Sequence, residues 1–131
     1  MAMGPLECSV IVFRAITRAT SHNANTGGAT PDAFLRRPRD IDGLSVDFNC
    51  DPRECGRDLS GVRAVVSLHV GRVRNLGLDI MPDEPTHALI VGVPFRDTEE
   101  NTHLAEDLAE QLAELARPVA RQPPPSDSPL C

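Results

Sequence analysis

Apolar and polar residues alternate in several short runs along this chain, and once, near its C-terminal end, they recur at helical spacing. Glu7–Thr17 (ECSVIVFRAIT) is β-branched. It sets Val10, Val12 and Ile16 on one side and Ile11, Phe13 and Ala15 on the other. Period-two spacing predicts a strand, and apolar residues on both sides predict a central one covered on two faces. Gly43–Phe48 (GLSVDF) alternates cleanly, with Leu44, Val46 and Phe48 inward and Ser45 and Asp47 opposite. Val62–Val70 and His87–Val93 read as two further strands, and Leu78–Met81 as a short one.

Asp97–Arg117 is the longest periodic segment. Leu104, Leu108, Leu112 and Leu115 return at helical spacing with alanines beside them, and Pro118 stops the pattern. Asp97 is the expected cap, with Glu100 as its capping-box partner. Gly71–Gly77 predicts one helical turn closed by Gly77 in a left-handed conformation. Asp32–Arg39 predicts another turn before Pro38. Ser21–Pro31 and Asn49–Gly61 read as polar loops, and Arg121–Cys131 is too rich in proline to pack.

These elements predict an α+β domain: a single mixed, mainly antiparallel sheet of four to five strands with one long C-terminal helix. Residues 1–6 are expected to be a flexible N-terminus, 7–117 the domain and 118–131 a disordered tail.

Composition narrows the functional range. All thirteen basic residues are Arg, so chemistry that needs a Lys nucleophile, a Schiff base or a phosphate-loop lysine is excluded. Trp and Tyr are absent and Phe occurs four times, which disfavours base-stacking platforms and aromatic cages. The net charge of −6 resides entirely in 97–117, and the remainder is neutral. With no basic stripe, nucleic-acid binding is not expected. No run is long enough to cross a membrane, and no basic, apolar leader opens the chain, so a cytoplasmic location with reduced Cys8, Cys50, Cys55 and Cys131 is expected.

Candidate chemistry centres on Arg14, a charge inside an otherwise apolar strand. A guanidinium there needs a partner. One reading is a structural ion pair with an acid such as Asp47; the other is a contact to an anion or ligand. Ser45 and Asp47 share a strand face. His69 shares a face with Arg63 and Ser67, and His87 opens its strand; either imidazole can act near neutral pH. Arg72 in the GRVRNLG turn can meet an anion. The candidate catalytic set is therefore Arg14, Ser45 and His87, and the candidate ligand-binding set is Asp47, His69 and Arg72. Cys50 and Cys55 form a single loose pair, so no metal site is expected. The acidic helix suits a basic protein partner, and a homodimer is the other expected assembly.

The segments FRAIT, DGLSVD and VGRVRNLGLDIMPDEPTHALIVG, followed by a Leu/Ala/Glu helix, resemble those of a class of small bacterial proteins with no assigned activity. That resemblance covers most of residues 10–117 and implies a bacterial, intracellular protein. A second likeness is to ADP-ribosyltransferase-type toxin folds, in which Arg14 and Ser45 would flank a nicotinamide cofactor. The catalytic Glu of that pattern has no counterpart in His87–Val93. Two functions follow as expectations. The first is an interaction or regulatory module with no cofactor. The alternative is a small nucleotide-binding enzyme that uses NAD in a pocket around Arg14.

Overall fold

A computed structural model describes residues 5–51 and 62–119. Six strands form one sheet: β1 (Ile11–Ile16), β2 (Leu44–Asp47), β3 (Ala64–His69), β4 (Asp79–Glu84), β5 (His87–Val91) and β6 (Arg117–Pro118). Their order is β4-β5-β2-β1-β3-β6, and every neighbouring pair is antiparallel. The expected central position of β1 holds. The two-residue β6 was not expected, and pairing of Pro118 with Val66 carries regular structure past Arg117.

Helix α1 (Val70–Arg74) follows β3 directly, and helix α2 (Glu99–Leu115) follows β5. Gly77 ends the α1 segment at φ +87°, as its position after the turn predicts. The α2 cap falls one residue later than expected. Thr98 is the N-cap, accepting from the Asn101 backbone N–H at 3.0 Å, while Asp97 accepts from the Asn101 side-chain amide. Thr98 already has the extended backbone an N-cap needs.

The sheet has two distinct faces. Val12 and Ile16 of β1, Leu44 and Val46 of β2, and Val66 and Leu68 of β3 are fully buried. They form one core with Ala88 and Ile90 of β5 and with Ala105, Leu108, Ala109 and Leu112 of α2. Phe34, in a short 3-10 turn at Pro31–Phe34, completes that core, and α2 packs directly against the turn. The other face carries Phe13, Ser45, Asp47, Ser67 and His87 in register across β3, β1, β2 and β5.

Gly43 shows how closely β2 seats on β5. Its φ is +150°, and a Cβ there would lie 2.5 Å from the Ile90 carbonyl oxygen. Only glycine enters β2 at this point without displacing the backbone.

Cys8 is disulfide-bonded, against the expectation of reduced thiols. Among the described residues no helix is long and apolar enough to cross a membrane.

Candidate functional site

The alternation of hydrogen bonds places an unusual gap beside β1. Val70 donates its backbone N–H to the Val10 carbonyl, so even-numbered residues of β1 face β3 and odd-numbered ones face β2. By the same rule the Phe48-to-Thr86 bond turns even residues of β2 toward β5 and odd ones toward β1. Phe13 of β1 pairs with Asp47 of β2. The register then projects Ala15 opposite Ser45, but the two strands have diverged there.

Arg14 fills the fork. Its Nη1 donates to the Ser45 carbonyl at 2.7 Å, in place of a ladder bond from β1. Its Nε donates to the Ala33 carbonyl at 2.8 Å, and its guanidinium lies 5.8 Å from the Phe34 ring centroid. The side chain therefore ties β1 to both β2 and the Pro31–Phe34 turn. Nη2 makes no hydrogen bond among the described residues. A depression of about 50 Å³ adjoins Arg14 and the β1 backbone from Ala15 to Arg18.

Charge converges on this depression. Arg18, Arg37 and Arg39 line it together with Asp32 and Asp40. Asp32 is committed: its Oδ2 accepts from Thr20 Oγ1 at 2.9 Å, Ser21 Oγ at 2.7 Å and Arg37 Nη2 at 3.0 Å. Burial works to raise the Asp32 pKa, but the bonds from Ser21 and Thr20 and the charge of Arg37 win, so its carboxyl titrates below the usual 3.8. Arg18 and Arg39 form no ion pair among the described residues. Burial pushes Arg14 down from the ordinary arginine value to about 10; Asp40 opposes this, while Arg37 and Arg39 add to it. Arg14 is still a cation at neutral pH, but a poorly solvated one among other cations.

The loop that carries Arg37, Arg39 and Asp40 is held by Arg36. Its guanidinium donates to the Asp40 carbonyl from Nε at 3.0 Å and from Nη2 at 2.7 Å. It also donates to the carbonyls of Ile41 and Val93. It stacks 3.7 Å above the Phe95 ring. This fork-shaped cation suits such a role, because it supplies several donors in one plane and a face for an aromatic ring.

The structure separates the residues selected from sequence. Arg14 stands opposite Val66 on the helix-covered face, whereas Ser45, Asp47 and His87 lie on the other. Arg14 meets Ser45 only at its backbone carbonyl. Asp47 is therefore not the ion-pair partner of Arg14; carbonyl oxygens take that place. Asp47 and His87 are register partners, and His87 Nδ1 lies 2.6 Å from Asp83 Oδ1 across the β4–β5 turn. His69 ends β3 opposite Ile11, and Arg72 is exposed on α1. Cys55 lies outside the described residues.

Arg18, Arg36, Arg37, Arg39 and Asp40 were missed. The run Arg36–Asp40 (RRPRD) overlaps and extends past the turn expected before Pro38, and its four charges in five residues beside a proline mark a loop with work for its side chains.

Comparison with known proteins finds no matching family model, no matching curated protein and no matching solved structure.

Proposed function

We propose that this protein is a binding and regulatory module that takes a small oxyanion into the fork between β1 and β2. One observation carries the reading. The Arg14 guanidinium keeps Nη2 without an acceptor among the described residues, at the edge of a depression lined by three further arginines. A partly desolvated cation surrounded by like charge is stabilised by an anion that replaces its lost hydration. The loop braced by Arg36 holds the cationic wall in place. No aromatic side chain lines the depression to stack a base. The acidic outer face of α2 offers a separate surface for a basic partner protein.

The test is linkage. Inorganic phosphate added at constant ionic strength should raise the urea midpoint, since a ligand at a hundred times its Kd adds about 2.7 kcal/mol. Arg39→Ala should weaken that effect without altering the midpoint in chloride. Equal stabilisation of the parent and Arg39→Ala by phosphate would place the anion elsewhere.

A further inference from the structure

The two carboxylates in the wall of the fork need an explanation, because an anion site gains nothing from bare negative charge. Asp32 has a structural one, with three donors on a single oxygen. Asp40 does not. Its Oδ2 accepts only the Arg37 backbone N–H, at 2.8 Å, and its Oδ1 makes no hydrogen bond among the described residues. Its carboxylate is nevertheless the strongest favourable charge acting on Arg14. Its backbone carbonyl is fixed by two bonds from Arg36, and Asp40 lines the depression together with Arg14.

A carboxylate oxygen so placed can only accept a hydrogen bond. It repels an oxyanion that presents bare oxygens on every side and attracts one that presents an O–H. Four guanidinium groups against two carboxylates leave two positive charges around the depression. Net charge alone therefore suits hydrogen phosphate and sulfate equally, and the proton is what distinguishes them. A phosphate monoester above its second pKa of about 6 has lost that proton, whereas free hydrogen phosphate keeps one.

We propose that the fork selects inorganic phosphate in its proton-bearing form, with Arg14, Arg18 and Arg39 meeting its oxygens and Asp40 accepting its O–H. This rests on the reading of the fork as an oxyanion site and goes further by naming the ligand and the residue that chooses it. A site built around a required hydrogen bond discriminates strongly against an isostere that lacks the donor, because a repulsive oxygen pair is left in its place.

The experiment is calorimetric titration of the full chain at about pH 8 with sodium phosphate, sodium sulfate and methyl phosphate, the last being above its second pKa of about 6 there. Phosphate should bind at least about tenfold more tightly than either of the others. In Asp40→Asn, which keeps an acceptor for the Arg37 N–H and replaces the lone oxygen with a donor, sulfate should bind as well as phosphate. Equal binding of phosphate and sulfate by the parent chain would overturn the selectivity while leaving an oxyanion site. Binding of none of the three would overturn both. An unchanged preference in Asp40→Asn would remove Asp40 from the role. If that variant does not fold, the parent chain's ranking of methyl phosphate against phosphate decides the matter alone.

Discussion

Replacing Arg14 with Met separates a residue kept for stability from one kept for binding. Met has a similar length, no charge and no donor. Two opposing effects set the result. A depression of the Arg14 pKa to about 10 means that holding the cation in the fold costs about 3 kcal/mol, at ~1.36 kcal/mol for each pKa step. Arg14 is only partly buried, and solvent in the fork lowers that to about 2 kcal/mol. Against this, the Ala33 and Ser45 carbonyls lose charged donors, and an unsatisfied buried acceptor costs about 1–3 kcal/mol. The Ser45 bond lies at the exposed end of the fork, where water can replace the donor. The two effects nearly cancel, so Arg14→Met should remain within about 1 kcal/mol of the parent chain. Stabilisation by phosphate should vanish. Urea unfolding followed by far-ultraviolet circular dichroism measures both, since the chain has no Trp or Tyr for fluorescence. A loss of 3 kcal/mol or more, with phosphate stabilisation intact, would refute the reasoning.

The pH dependence of the same pair has a definite sign. A cation whose folded pKa is depressed destabilises the fold fully below that value and regains stability as pH climbs from about 10 toward the ordinary arginine value. The parent chain should therefore gain on Arg14→Met across that window. Asp32 behaves oppositely: its depressed pKa contributes stability above 3.8 that is lost as pH falls through the folded value. Asp32→Asn should accordingly be less stable at neutral pH and lose less on acidification, as acid titration of the dichroism will show. Arg36→Lys cannot reproduce four hydrogen bonds to three carbonyls or the stacking on Phe95, and should lose about 2–4 kcal/mol in urea. Gly43→Ala forces a Cβ against the Ile90 carbonyl and should cost about 2 kcal/mol or more; an unchanged urea midpoint would show that β2 is not pinned to β5 there.

Local signals made most of the sheet legible from sequence. Alternation in β1, β2, β3 and β5 is dictated by burial against a single helical layer, and that layer announces itself in the Leu/Ala stripe of α2. β6 was invisible because two residues contain no period, and its pairing depends only on where α2 delivers the chain. Arg14 stood out for the right reason, a charge among apolar neighbours. Its partners did not, because they are backbone carbonyls of Ala33 and Ser45, and no residue type marks a carbonyl. Grouping it with Ser45 and His87 failed on strand parity. Even positions of β1 share a face with even positions of β3 and β2, and the register that decides this is a tertiary property. The arginines of the loop were hidden for a similar reason: their convergence depends on Arg36 fastening the Asp40 loop to Val93, 57 residues further along the chain than Arg36.

The most direct test of an oxyanion in the fork is nitrogen-15 correlation spectroscopy of backbone amides and arginine Nε–H groups during phosphate titration at constant ionic strength. The Ala15 amide, the Nε–H groups of Arg14, Arg18 and Arg39, and the amides around Asp40 should shift together along one binding curve. Shifts confined to Arg63, Arg72 and other arginines outside the fork, with Arg14 and Ala15 unmoved, would contradict it.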